Sequence, residues 1–292
     1  MRAVSQVVFF KQSPYYLPSQ SMMRELRLYI LMRMSSAKPV QNTNIHKKIA
    51  IIGAGSAIAK ECARIWSEKH AIDFILIGRN SEELNRFAQD LRVRNSQSVV
   101  TVKTTDFLDP HAIDSCIEEL FITRSVDIAL IAQGVLPDQT ECQEHLKKTH
   151  DVLDINGVSP LLFAEGFAKN MAKVNHGTVA IIGSVAGDRG RKSNYVYGAA
   201  KAMIHTYVQG LQHRFAQTPI KIIVIKPGPT DTPMTAHLKA QGANLSSVNQ
   251  VAKIIVQGID AGRPVIYAPG IWRFIMTVIM HIPNFIFKRL NL

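Results

Sequence analysis

The chain is predicted to fold as an α/β domain: a doubly wound, open parallel sheet with helices on both faces, followed by an apolar C-terminal extension. Three observations predict it. Short β-branched runs alternate with segments of helical spacing, and each run is almost continuously apolar, as strands buried on both faces are. A length of 292 residues with 47% hydrophobic and 19% charged composition can bury such a core. Polar residues with chemical potential gather where the apolar runs end, which is where open parallel sheets bind their ligands.

The elements follow in order. KIAIIG (48–53) is the first strand, and Ile58, Cys62, Ile65 and Trp66 give 56–69 a helical stripe. DFILIG (73–78) is the second strand, and SEELNRFAQDLRVR is an amphipathic helix with Ser81 expected as N-cap and Glu83 in its first turn. SVVTVKTTD (98–106) precedes a helix that starts after Pro110, and VDIALIA (126–132) is the fourth strand. A long helical stretch leads to GTVAIIGS (177–184), a further helix spans 194–216, and IKIIVIKP (220–227) and PVIYAP (264–269) complete the sheet. Right-handed crossovers make this a Rossmann-type arrangement.

One catalytic domain is expected over 47–270, between two flanking segments. Residues 1–46 mix short apolar pieces with Pro14 and Pro18 and carry Arg2, Lys11, Arg24, Arg27, Arg33 and Lys38 against Glu25 alone. They read either as a mis-called start or as a flexible basic leader, disordered apart from a short helix near 22–34. Residues 271–292 form an apolar tail that ends in Lys288 and Arg289. The net charge of +12 comes without a zinc-ligand pattern, a basic cluster or an aromatic–basic RNA motif, which excludes nucleic-acid reading. Positive ends around a neutral middle fit attraction to anionic lipid. Cys62, Cys116 and Cys142 form no CxxC pair, fall in helical segments and suit a reducing cytosol as packing residues.

GAGSAIA (53–59) joins the first strand to the first helix. Gly53 and Gly55 let the chain turn sharply, and Ser56, Ala57 and Ile58 open a helix whose N–H groups can meet a pyrophosphate. Arg79, ending the second strand, offers a guanidinium fork to a 2′-phosphate where an acidic residue would repel one, so NADP(H) is expected over NAD. Asp106 can accept a bond from an adenine amino group, and Ala132-Gln133-Gly134 can pass close to the adenosine ribose. Either is equally a turn.

The stretch GSVAGDRGRKSNYVYGAAK (183–201) holds the proton chemistry. On a helix over 194–216, Tyr197 and Lys201 share a face one turn apart. The ammonium is expected to lower the phenol's pKa and ease proton exchange with a substrate oxygen. Ser184, at the end of the fifth strand, can hold that oxygen, and Asn156 can anchor a water that relays protons to Lys201. A Tyr and a Lys four apart also arise by chance, and an isolated Asn is more often a cap. Their conjunction at the ends of successive strands favours the catalytic reading.

GAGSAIA, Asn156, Ser184, YGAAK (197–201) and PGPTDTPM (227–234), in this order and spacing, resemble the short-chain dehydrogenase/reductase family over about residues 47–270. The resemblance implies a catalytic tetrad of Asn156, Ser184, Tyr197 and Lys201. It implies that Pro227 and Gly228 guide the chain past the nicotinamide, with Thr230 and Thr232 beside the cofactor, and it implies a homo-oligomer. Ala57 and Ala59 stand where the family has glycines, and Ala132-Gln133-Gly134 replaces its Asn-Ala-Gly. Within the family, GDRGRKSNYVYGAAK and the aromatic tail resemble membrane-associated reductases of the decaprenylphosphoryl-2-keto-ribose type, which implies a keto-sugar on a polyprenyl phosphate.

Residues 229–247 are expected to be a loop that covers the substrate. The tail IWRFIMTVIMHIPNFIFKRL (271–290) is broken by Arg273, His281 and Pro283, too short to span a bilayer. It reads as a helix lying in a membrane interface or as one packed on a partner subunit. These expectations define an NADPH-dependent carbonyl reductase for a lipophilic or lipid-linked keto substrate, in the cytoplasm and at the inner face of a membrane. A 3-oxoacyl or fatty aldehyde reductase is the alternative enzyme. A non-catalytic NADP-binding sensor or membrane-docking protein is the alternative outside enzymology.

Overall fold

In the computed structural model, residues 46–290 are described; the leader assigned to 1–46 and its short helix lie, but for His46, outside them. Seven parallel strands are ordered β3-β2-β1-β4-β5-β6-β7. They are β1 (Lys47–Ile52), β2 (Ile72–Gly78), β3 (Val99–Thr104), β4 (Ile128–Ile131), β5 (Thr178–Ile182), β6 (Lys221–Pro227) and β7 (Val265–Ala268). The pleat sends alternate residues of β1 to opposite faces. Ile49 and Ile51 join Phe74, Leu76, Leu84 and Val251 in one core, while Ala50 and Ile52 join Ile75, Phe163, Phe167 and Ile204 in the other. Two buried faces explain why the strands read as unbroken apolar runs.

The helices that frame the site are α1 (Ala57–Lys69), α2 (Ser81–Arg94), α3 (Pro110–Phe121), α4 (Gln139–Glu144), α5 (Leu146–Leu153), α6 (Ser159–Val174) and α7 (Tyr195–Arg214). Asn80, not Ser81, caps α2: its side chain accepts from the Glu83 N–H at 3.1 Å. Ser81 instead begins the helix proper. Cys62, Cys116 and Cys142 are buried in α1, α3 and α4 as unpaired thiols.

The strand order reverses beside β1, which pairs with β2 on one side and β4 on the other. The loops leaving β1 and β4 therefore diverge around a crevice, the place where doubly wound sheets receive ligands. The expected loop 229–247 contains a 3₁₀ turn, Pro233–Thr235, and a short helix, α8 (Ala236–Ala240). Helix α9 (Val248–Asp260) then packs on α1. The tail forms two helices, α10 (Ile271–His281) and α11 (Asn284–Phe287). Proline at 283 supplies no N–H to continue α10, so the expected single helix breaks there.

Candidate active site

Gly53 turns out of β1 at φ +74°, and its N–H donates to the Ile77 carbonyl at 2.9 Å. A Cβ built there would lie 2.6 Å from the Gln133 amide nitrogen, so only glycine permits both the turn and the approach of the β4 loop. Ser56 occupies the N-cap of α1 without a side-chain capping bond, and no acidic residue stands in the first turn. The N–H groups of that turn are thereby left for an anion. Ala59 is fully buried in the core between helix and sheet, so the methyl where the family has glycine is absorbed as packing.

A cleft of about 580 Å³ opens at this point. Gly53, Gly55, Ser56, Ala57 and Ile58 line one wall; Arg79, Asp106, Ala132, Gly134 and Thr232 line others. Arg79 is exposed and makes no ion pair among the described residues. Asp106 spends one carboxylate oxygen on the Leu108 N–H at 2.8 Å. The remaining expected cofactor residues lie elsewhere. Thr230 is buried and its hydroxyl donates to the Gly228 carbonyl at 2.9 Å, turned into its own loop. Pro227 ends β6, and Gly228 is covered by the Trp272 indole, whose nitrogen would stand 2.0 Å from a Cβ at that position.

Two cleft side chains were given no role by sequence reasoning. Lys60, one turn into α1, pairs with Glu83 at 2.5 Å. The signal for Lys60 was its place four residues after Ser56, on the face that meets the turn. Gln133 donates to the Ser159 hydroxyl at 3.3 Å, but its side-chain oxygen is buried with no partner among the described residues. A buried acceptor without a donor is costly, and it marks where a ligand N–H or a water completes the set.

Asn156 sits in a single π-helical turn, Asp154–Val158, between α5 and α6 and not within one long helix. Such turns widen a helix by one residue and re-aim a side chain. Here the Asn156 amide donates to the Val152 carbonyl at 3.1 Å while its oxygen accepts from the Val135 N–H at 2.9 Å. A Cβ at Gly134 would lie 2.8 Å from Asn156 Oδ1 and 3.7 Å from Lys201 Nζ, so both groups converge on that glycine.

Tyr197 and Lys201 share the face of α7 that looks to the end of β5. The Lys201 Nζ is 5.7 Å from the Tyr197 ring centroid and donates to the Ile182 carbonyl at 3.0 Å. Lys201 is 2% exposed, and burial brings its pKa down from 10.5 to about 8. Burial pushes the Tyr197 phenol up to about 12, against a hydrogen bond with Ser184 that acts the other way. The expected lowering of Tyr197 by the ammonium is thus not met: desolvation of the phenolate outweighs a cation committed to a carbonyl. Ser184 itself caps a 3₁₀ turn, accepting from the Ala186 N–H at 3.1 Å.

Behind the pair lies a polar cluster. The Asp188 carboxylate accepts from Lys226 Nζ at 2.5 Å and Tyr267 Oη at 3.0 Å, and His205 Nδ1 stands 3.3 Å away. Burial opposes ionisation of Asp188, but bonds from His205, Lys226 and Tyr267 hold its pKa below the ordinary range. The cluster ties β6, β7 and α7 to the segment between Ser184 and Tyr197.

With this geometry in place, comparison with known proteins is decisive at the family level. The family model described as short chain dehydrogenase matches residues 47–243. The chain belongs to the short-chain dehydrogenase family. Its oxidoreductase class follows from that membership. An uncharacterized oxidoreductase of Staphylococcus aureus is 31% identical over 225 residues, covering 76% of this chain and 95% of its own. Among solved structures, a short-chain dehydrogenase from Sphingobium yanoikuyae in complex with NADPH aligns at TM-score 0.71 with 19% identity, over 82% of this chain and 97% of that one. A 3-oxoacyl-[acyl-carrier protein] reductase from Brucella melitensis in complex with NAD aligns at 0.68 with 19% identity, over 77% and 96%. At such identities the two structures bear on the fold of this family member.

Proposed function

We propose that the chain is an NADP(H)-dependent carbonyl reductase for a lipophilic or lipid-linked keto substrate, and that a keto-sugar on a polyprenyl phosphate is its substrate class. The observation that carries the reaction is a half-buried tyrosine whose phenol bonds Ser184, with Lys201 and Asn156 converging on Gly134 at the cleft. A phenol with a pKa of about 12 keeps its proton at neutral pH, so it suits donation to a carbonyl oxygen. Ser184 holds that oxygen, and Lys201, still largely protonated below its pKa of about 8, stabilises the phenolate left behind.

The cleft fits a dinucleotide. Its pyrophosphate would meet the open N-terminus of α1 between Gly53 and Ser56, and Arg79 would face a 2′-phosphate. When bound, that cofactor supplies the reducing equivalents. The Sphingobium relative bears NADPH, which supports this cofactor choice. The substrate class rests on the resemblance of 183–201 and of the aromatic tail, and it implies a cytoplasmic enzyme working at a membrane face, assembled as a homo-oligomer. A 3-oxoacyl reductase is the second reading, favoured by the Brucella neighbour.

The test is NADPH oxidation by the full chain with polyprenyl-phosphate keto-sugars, 3-oxoacyl thioesters and fatty aldehydes. Tyr197→Phe is expected to lose roughly 10²–10⁴-fold in turnover while binding NADPH as the wild type does. Turnover preserved in Tyr197→Phe refutes the proton role. NADPH binding without oxidation of any of the three classes points to the sensor instead.

A further inference from the structure

The tail exposes an apolar surface that the catalytic reading does not use. Along α10, Trp272, Met276 and Ile279 turn inward, with Met276 fully buried. Ile271, Phe274 and Val278, spaced as one helical stripe, turn outward, and Phe274 is 69% exposed. Phe285 (69%) and Ile286 continue this exposure on α11. Beside the outward stripe of α10, Arg273, Thr277 and His281 form a polar stripe at four-residue spacing.

The surface is held in place. Arg189 Nη1 donates to the Ile279 carbonyl at 2.5 Å and the Ile282 carbonyl at 2.7 Å, and Nη2 donates to Asn284 Oδ1 at 3.0 Å. Its guanidinium also stacks on the Phe287 ring at 3.8 Å. One cation therefore closes the carbonyl end of α10 and fixes α11 to it. At the other end Trp272 rests on Gly228. Apolar side chains on elements fixed at both ends cannot withdraw by collapsing onto the sheet, and exposed apolar patches on ordered elements mark contact surfaces.

We propose that this face docks on an anionic lipid surface, with Phe274, Val278, Phe285 and Ile286 entering the interface and Arg273, Lys288 and Arg289 at the headgroups. Charge identifies the occupant. Residues 271–292 contain Arg273, His281, Lys288 and Arg289 and no acidic residue. In an isologous pair through the same face, Arg273, Lys288 and Arg289 would meet a surface without an acidic residue from this segment, whereas an anionic bilayer complements all three. No helix among the described residues is long and apolar enough to cross a membrane, so the contact is interfacial. The proposal deepens the membrane reading above and rests on it only for purpose. Docking is measured without substrate or cofactor, so its failure leaves the reductase assignment standing.

The experiment is flotation of the full chain with phosphatidylcholine vesicles and with phosphatidylcholine–phosphatidylglycerol vesicles. The wild type is expected to bind the anionic vesicles on the order of tenfold more tightly, less so at high salt. Phe274→Glu with Phe285→Glu should cut that binding about tenfold or more at unchanged NADPH affinity. Lys288→Gln with Arg289→Gln should narrow the preference for anionic lipid. Failure of the wild type to float overturns the proposal. Equal flotation of wild type and the double Glu variant overturns it too, by placing the contact elsewhere in the chain. A concentration-dependent dimer abolished by the Glu pair, without vesicle binding, assigns the face to a second copy and overturns it as well.

Discussion

Replacing Lys201 by Met tests whether the site keeps its cation at the expense of stability. The lysine is 2% exposed and its pKa falls from 10.5 to about 8 on folding. At about 1.4 kcal/mol per pH unit, keeping it charged at pH 7 costs the fold on the order of 3 kcal/mol. Methionine fills a similar volume without charge but leaves the Ile182 carbonyl without this donor, at about 1–3 kcal/mol. At pH 7 the variant is therefore expected to range from equal in stability to about 2 kcal/mol more stable, while losing turnover. The pH dependence is sharper, because the carbonyl contribution does not titrate. Between pH 8 and 10.5 the unfolded chain binds the Lys201 proton and the folded chain does not, so wild-type stability rises with pH relative to the variant. From pH 7 to 9.5 more than half of that penalty is lost, so relative stability should shift toward the wild type by about 2 kcal/mol. Urea unfolding of both proteins at the two pH values measures it, since every other titrating group is common to both. Stability curves that run parallel would show that Lys201 is not desolvated, and the account of its pKa would fail.

Two further substitutions probe the cleft and the cluster behind it. Arg79→Ala is expected to weaken NADPH binding by roughly tenfold or more and to leave NADH binding unchanged, read by fluorescence titration. Equal losses for the two cofactors would remove Arg79 from the 2′-phosphate. Asp188→Asn takes the carboxylate from Lys226 and His205 at a side chain 3% exposed. Loss of one member of a buried pair is expected to cost about 3–5 kcal/mol. Because the folded pKa of Asp188 lies below 3.8, that contribution is present above this value and fades as pH falls through the folded pKa. A loss under about 1 kcal/mol at neutral pH would deny the cluster its structural weight.

The sheet was legible because burial on both faces writes each strand as an apolar run, and Gly53, Ser184, Tyr197 and Lys201 were legible because strand ends and helical spacing place them. What escaped notice depends on tertiary approach. Gln133 becomes an acceptor in the cleft only because Gly53 lets the β4 loop come within contact of the turn. The π turn at Asn156 leaves no mark in hydropathy, since one extra residue per turn does not alter the apolar count. The rise of Tyr197 to about 12 was misjudged for the same reason. Spacing on a helix shows that an ammonium is near, but not that it is bonded to Ile182 or that the phenol is largely desolvated.

The segment from Ser184 to Tyr197 explains why catalysis and the tail belong to one problem. Its first residue binds at the phenol, Asp188 is held by three strand and helix partners, and Arg189 grips the carbonyl end of α10. Adjacent residues 188 and 189 thus anchor opposite directions of the same loop, one into the sheet and one into the tail. A force on α10 is passed through Arg189 to a residue whose neighbour cannot yield without breaking a buried ion pair. The loop between Ser184 and Tyr197 is therefore tied at residue 188 to the sheet and at residue 189 to the tail.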